Sequence, residues 1–343
     1  MMEKKRIALA GCRGHVEKFG NLINSFPESE TVAVWDNVPG RGEKVAENLG
    51  CQFEPDFDRL MSDYGLDGVV ITAENALHKE MILKAAEQKV STFVEKPLCV
   101  KPEEAYEIQK AVKESGITFY MTDPFVRRGT LKLKELMEAG TLGEITGATF
   151  RLGSDAAFSG HVDFHFERNQ GGIMADVGGH MIHKAHFLFG KPESLCSVLR
   201  YYTPQAQESH MEDDAHILLK YPGNVLVNLQ CSWVGAEGSG VEAVYGSKGF
   251  ARVEPNGRGE GNEKVILQTG RDQAVVFSGD DLPANPTQHI RYFVEMLAYG
   301  IPNEQVGVDP LSNSGVSLDH AVEYVEMIDA IYRSNGKGFI SLP

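Results

Sequence analysis

The stretch "RIALAGCRGHVEKFG", residues 6–20, runs from an apolar segment through a glycine-bearing turn into a helical pattern. Residues 6–11 predict a buried strand, and "VEKFGNLINSF" predicts the helix that follows it. The unit then recurs. "TVAVWD" (31–36), "LDGVVIT" (66–72), "VSTFVEK" (90–96) and "ITFYMTD" (117–123) read as further strands. Between them lie "GRGEKVAENLG", "ALHKEMILKAAEQ" and "KPEEAYEIQKAVKESG", the last with Pro102 in its first turn. Short apolar strands alternating with helices indicate a parallel sheet covered on both faces. Residues 1–123 therefore predict a doubly wound α/β domain, with ligands at the carboxyl ends of its strands.

Beyond residue 124 the pattern changes. "EITGATFRLG", "SLCSVLRYYT", "DDAHILLKYPGNVLVNLQCSW", "VEAVYGSKGFARVEP" and "KVILQTG" alternate in polarity and are joined by turns such as "YPGN" and "GSKG". They predict a second domain, 124–343, of α+β type with an open-faced, mainly antiparallel sheet. Two helices, "QHIRYFVEMLAYG" and "LDHAVEYVEMIDAIYRSNG", lie near the end, the last suited to packing back on the first domain.

The chain has 343 residues, 42% hydrophobic and 24% charged, with a formal net charge of −15. That charge argues against nonspecific binding to nucleic acid or anionic membranes. Five scattered cysteines without a CxxC suit reduced thiols. The opening "MMEKKRIALAG" is too short in its apolar part for a signal peptide, and no apolar run approaches membrane-spanning length. A cytoplasmic protein is expected.

Three stretches carry chemistry. In the first turn, Gly11 fits a G-x-G-x-x-G/A dinucleotide pattern, Arg13 occupies the second glycine position and Val16 the third. Gly14 offers close backbone approach in a shifted turn, so Gly11, Cys12, Arg13, Gly14 and His15 are the expected cofactor contacts, with Thr72 at the end of the third strand. Asp36 ends the second strand, where an acid would bond the adenine ribose and repel a 2′-phosphate. This favours NAD, with NADP left open because Arg13 or Arg41 could meet a phosphate. In "TFVEKPLCVKP" (92–102), Pro97 restricts Lys96 to a defined direction at a strand end. In "GGIMADVGGHMIHKAHFLFG" (171–190), Asp176 and His180 lie four apart on one helix face. An ion pair that staples the helix is the plainer reading. Gly178 and Gly179 cost helix stability and leave room for a small molecule to approach.

Together "VEKP", "NALH" (75–78), "GGIMADVGGH" and the closing "AIYRSNGKGFISLP" resemble the glucose–fructose oxidoreductase and inositol dehydrogenase (Gfo/Idh/MocA) family along essentially the whole chain. The resemblance implies an N-terminal Rossmann domain and a second domain that often mediates oligomerisation. It also implies NAD(P)-dependent oxidation of a hydroxyl on a sugar, polyol or related compound. Lys96, Asp176 and His180 match the family's catalytic set, and Asn75, His78 and Glu95 match segments lining its cofactor site. The departures are Arg13 in the glycine turn and His183 where the family commonly has an acid or amide.

The chemistry agrees: a histidine suits acceptance of the hydroxyl proton, Asp176 the stabilisation of its imidazolium, and Lys96 a bond to the oxygen. Arg127, His161 and His165 join Lys96, Asp176 and His180 as expected substrate contacts, and no metal site is assigned to the histidine-rich stretch. "MEDDAH" (211–216) reads as a solvated turn, and Trp233 and Phe250 as sheet-face or interface residues. Two other functions stay open. One is a lyase or glycoside-cleaving enzyme using tightly bound NAD in transient oxidation; the other is a non-catalytic sugar or dinucleotide sensor. The expected partners are a small carbohydrate or polyol and further copies of this chain, as a dimer or tetramer.

Overall fold

A computed structural model describes residues 3–123, 126–236, 240–255, 263–279, 286–307 and 315–342. The chain divides into two compact units, Met1–Asp123 with Asn285–Val325, and Pro124–Ala284 with Glu326–Pro343.

The first unit alternates β1 (Lys5–Ala10), α1 (Val16–Ser25), β2 (Ser29–Trp35), α2 (Pro39–Leu49), β3 (Gln52–Phe53), α3 (Phe57–Asp63), β4 (Gly68–Ile71), α4 (Asn75–Glu87), β5 (Ser91–Val94), α5 (Pro102–Ser115) and β6 (Phe119–Thr122). The strands run parallel in the order β3-β2-β1-β4-β5-β6, and the short strand Gly315–Val316 pairs antiparallel to β6. This is the doubly wound order whose reversal, between β1 and β4, opens a crevice at the strand ends. β4 and β6 are buried at every residue, as a sheet covered on both faces requires. α1 buries Val16, Phe19, Gly20 and Ile23, one stripe at helical spacing. α2 and α5 begin with proline and end on left-handed Gly50 and Gly116.

Phe93 organises the core on one side of this sheet, stacked on Tyr120 at 5.3 Å and met edge-on by Phe19 at 5.5 Å and Phe293 at 5.7 Å. Such buried rings contribute about 1.5–3 kcal/mol each. Phe293 comes from the helix Pro286–Tyr299, which the sequence reading assigned to residues 124–343. Its Ile290, Phe293, Val294 and Met296 complete the first unit's core. Its apolar stripe shows that it needs a core, and only the tertiary structure shows which one. The strands also end one or two residues earlier than expected. Gly11, Asp36, Thr72 and Lys96 stand just beyond them, where the chain turns into its loops.

The second unit holds α6 (Arg128–Glu138) and eight long strands: β7 (Ile145–Gly153), β8 (Ser194–Arg200), β9 (Asp214–Tyr221), β10 (Val225–Ser232), β11 (Val241–Gly246), β12 (Gly249–Pro255), β13 (Glu263–Thr269) and β14 (Asp272–Gly279). With Ile340–Ser341 they form one nine-stranded sheet, ordered β14-β13-β12-β11-β7-β10-β9-β8 and then that last strand. All pairings are antiparallel except β7 with β10. One face buries Leu195, Ile217, Leu219, Val227, Leu229 and Val244. The register aligns Val198, His216, Gln230, Arg151 and Val241 on the other, with Tyr245 and Val275 further along.

"MEDDAH" is not a solvated turn. Glu212, Asp213 and Asp214 are 1%, 0% and 1% exposed. Asp213 accepts the Tyr202 and Thr203 N–H groups and the Thr203 hydroxyl, and Asp214 accepts from Arg200 at 2.9 Å. Each acid is buried because it has donors of its own. Trp233 is likewise buried, edge-on to Phe164, while Phe250 lies beside Tyr245. Among the described residues no helix is long and apolar enough to cross a membrane.

Candidate active site

In the first unit the crevice is built where the loops after β1 and β4 touch. Gly11 has φ +91°, and a Cβ on it would overlap the Ala73 backbone. The Thr72 hydroxyl closes the contact by donating to the Gly11 carbonyl at 2.5 Å. Gly14 is also left-handed, at φ +54°. Val16 fills core, so the glycine permitting close packing of α1 is Gly20, whose Cβ would meet Leu49 and Leu9. The three glycine roles of the motif are thus spread over Gly11, Gly14 and Gly20. Among the described residues no side chain caps α1, whose first turn therefore offers N–H groups to an anion. His15 stands exposed at the N-cap of α1, and Asn75 is half-buried at the first position of α4.

Asp36 is buried and held on both oxygens. One accepts the Cys12 N–H at 2.6 Å and Arg41 Nε at 2.9 Å; the other accepts the Val38 N–H at 2.6 Å and meets Arg41 Nη2 at 2.8 Å. Burial works against the Arg41 charge, but the bonds to Asp36 outweigh it and keep its pKa above the ordinary value. Glu74 lies 3.7 Å from the same guanidinium and 3.9 Å from Arg13. Burial, then the Asp36 charge, push the Cys12 thiol up to about 12, so it is no nucleophile. Its contribution to the crevice is its backbone N–H.

His78 lies beneath the crevice, not on its surface. Its ring is fully buried between the Pro97 carbonyl, 2.8 Å from Nδ1, and the Ala73 carbonyl, 3.2 Å from Nε2. Burial lowers its pKa, and the neutral ring has a single N–H to donate, so only one of the two carbonyls is its acceptor; the shorter contact, at Pro97, joins α4 to the loop after β5. That loop carries Glu95 and Lys96, both half-buried, and the Lys96–Pro97 peptide is cis.

In the second unit, Asp176 and His180 belong to one continuous helical run. Its start is a π turn, Met174–Gly178, followed by an α-helix, Gly179–Phe189, where the sequence suggested plain helix throughout. Wide turns of this kind recur at functional sites. Met174 packs where a Cβ on Gly178 would stand, while nothing lies within 4 Å of one on Gly179. Asp176 is exposed and His180 is buried. Burial, then the nearby charge of Asp176, push the Cys231 thiol well above its ordinary value.

One helical turn further on, Lys184 is paired with Glu242 of β11 in the interior, and the Thr130 hydroxyl donates to that carboxylate at 2.7 Å. Glu263 accepts the Gly129 N–H at 3.0 Å and stands 3.7 Å from Arg127. Arg127 therefore belongs to a charged network at the start of α6. His161 and His165 are exposed in the 155–169 segment, with His161 Nδ1 2.6 Å from the Ser159 hydroxyl.

Sequence reasoning missed Glu74, Lys184, Glu242 and Glu212. Only Glu212 carried a local signal, as one of three successive acids opening a strand that needed a reason to be there.

Two family models match the chain. One, described as the oxidoreductase family with an NAD-binding Rossmann fold, covers residues 5–122; the other, the GFO/IDH/MocA C-terminal domain, covers 130–252. The scyllo-inositol 2-dehydrogenase (NAD(+)) of Bacillus subtilis (strain 168) is 33% identical over 177 residues, 50% of this chain and 49% of the relative. A 2,7-anhydro-N-acetylneuraminate hydratase from Mediterraneibacter gnavus is 28% identical over 217 residues, 60% of this chain and 55% of the relative. The chain thus spans about half the length of these curated relatives. A solved levoglucosan dehydrogenase, in complex with NADH and levoglucosan, shares the fold with a TM-score of 0.81 at 18% identity, over 99% of this chain and 100% of its own.

Proposed function

Since the chain belongs to the Gfo/Idh/MocA family of NAD-binding oxidoreductases, we propose that it transfers hydride between a carbohydrate-like hydroxyl carbon and nicotinamide. The substrate class is a sugar, polyol or glycoside. The observation that carries this reading is the pair Asp176 and His180 at the glycine-rich start of one helix, with open space at Gly179. The first unit's crevice suits a dinucleotide: close backbone approach at Gly11, an uncapped α1 start for the pyrophosphate, and Asp36 near the ribose position. Bound there, nicotinamide supplies the hydride chemistry. His180 takes the hydroxyl proton, Asp176 holds the imidazolium in place, and Lys96 donates to the oxygen as its charge grows. Purified protein incubated with NAD or NADP and a panel of sugars, inositols and glycosides tests the reading. Reduced nicotinamide should accumulate with at least one panel member, and its absence throughout, with all substrates unchanged, would sink the proposal.

The hydratase relative favours one second reading, transient oxidation by tightly bound NAD leading to elimination or addition of water. Product without net nicotinamide reduction in the same panel distinguishes it.

Cofactor choice rests on Asp36. Its bond to Arg41 holds the guanidinium on the carboxylate, so NAD is the preferred dinucleotide. Asp36→Asn removes the charge that repels a 2′-phosphate and releases Arg41 towards one. The ratio of NADP to NAD dissociation constants, measured by titration of intrinsic fluorescence, should fall by about tenfold or more, the scale of one charge-assisted contact. An unchanged ratio would show that Asp36 does not discriminate.

Self-association is proposed through the open face of the nine-stranded sheet. Val198, Leu226, Val241, Tyr245 and Val275 are exposed there, an apolar set with a polar surround. Light scattering at micromolar concentration should give a multiple of the protomer mass, and Val241→Glu should reduce it. A monomer before mutation contradicts the proposal. All five cysteines are free, which supports a reducing, cytoplasmic setting.

A further inference from the structure

We propose that Glu212 is a positioning residue for Asp176 and His180, holding the first turn of their helix by its backbone N–H groups. The Gly172 N–H donates to one carboxylate oxygen at 3.2 Å and the Met174 N–H to the other at 3.0 Å. The Ile173 N–H donates to the Glu212 carbonyl at 2.8 Å. Three successive N–H groups that the helix cannot satisfy internally thus find acceptors on one residue. The Tyr332 hydroxyl donates to the same carboxylate at 2.7 Å and steadies it. Gly172 permits this approach, since a Cβ there would overlap the Glu212 backbone. Burial raises the Glu212 pKa, and the Tyr332, Met174 and Gly172 bonds oppose that rise.

Position gives this clamp its consequence. Asp176 lies two residues past Met174, inside the π turn, and its own N–H donates to the Gly172 carbonyl at 3.2 Å. Gly172 is therefore gripped on its N–H by Glu212 while its carbonyl receives Asp176. The glutamate thereby sets the direction of the Asp176 carboxylate relative to His180, one turn further along the same helix. A carboxylate is required here because both oxygens accept. A glutamine would present an NH2 group to one of the two N–H donors.

The inference rests on the catalytic reading of Asp176 and His180 but is tested independently of it. Deuterium exchange at the imidazole C2 position, followed by mass spectrometry across pH, reports the proton affinity of His180 without any substrate. In Asp176→Asn the midpoint should move to lower pH, as the imidazolium loses its carboxylate partner. Glu212→Gln and Glu212→Asp should both move it in the same direction, with the exposed His161 and His165 as unmoved internal references. Glu212→Asp keeps the charge and withdraws it by about one C–C bond, roughly 1.5 Å, so its shift isolates geometry. A shift in Glu212→Gln alone would mean through-space charge and would overturn the proposal. A wild-type midpoint in both variants, even with lowered melting temperatures, would reduce Glu212 to a structural residue. Should the glutamine variant fail to fold, the aspartate variant decides. With a panel substrate, kcat in both variants should fall by about 10–100-fold, the effect of roughly 1 Å of misplacement, with the NAD dissociation constant unchanged. Normal turnover in His180→Ala would remove the catalytic reading and leave the exchange result standing.

Discussion

His180→Ala is expected to lower kcat by about two to four orders of magnitude, the contribution of a positioned general base. The dissociation constant for NAD should stay essentially unchanged, because the residue lies in the second unit and the glycine crevice in the first. The competing view is that Asp176 and His180 form an ion pair that only staples a helix. It predicts a lowered melting temperature with near-normal turnover. Turnover and melting measured on the same protein separate the two, and normal kcat in His180→Ala ends the mechanism proposed above. Asp176→Asn sharpens the result. Without a carboxylate to stabilise it, the imidazolium loses its proton more readily, so the rise of kcat with pH should move to lower pH while the fold persists.

Lys96→Ala should lower kcat by about 10²–10³-fold, as expected when a donor to a developing oxyanion is removed. Unlike His180, Lys96 stands just past a sheet strand in the first unit, on the loop whose Pro97 carbonyl lies 2.8 Å from the buried His78 ring of α4. Its loss should therefore also weaken NAD binding, seen as a raised dissociation constant in direct titration. Lys96→Arg should rescue poorly, since a planar guanidinium cannot place one donor where a compact ammonium stood. Wild-type kcat in Lys96→Ala would assign Lys96 to the cofactor alone. Reduced kcat at saturating NAD, with raised KM for the dinucleotide, is the expected pattern.

The amino-acid sequence by itself determined the alternation of strands and helices in the first third, because a fully buried strand and an amphipathic helix announce themselves within ten residues. It determined the change to long alternating strands after residue 124 for the same local reason. It also marked Gly11 and Asp36 by residue type and position at the first two strand ends, whereas Lys96, Asp176 and His180 were marked as a catalytic set by the resemblance to the Gfo/Idh/MocA family.

Tertiary structure alone decided what holds those residues. It sent the helix Pro286–Tyr299 to the first core, closed Arg41 on Asp36, buried His78 beneath the crevice, and turned three acids of an apparent surface turn into interior acceptors. Glu212 meets Gly172 and Met174 across 40 and 38 positions, and Tyr332 across 120. Periodicity tells a residue which face of its own element it occupies. Whether a buried charge finds its donors depends on which elements the fold brings alongside, and that pairing has no local signature.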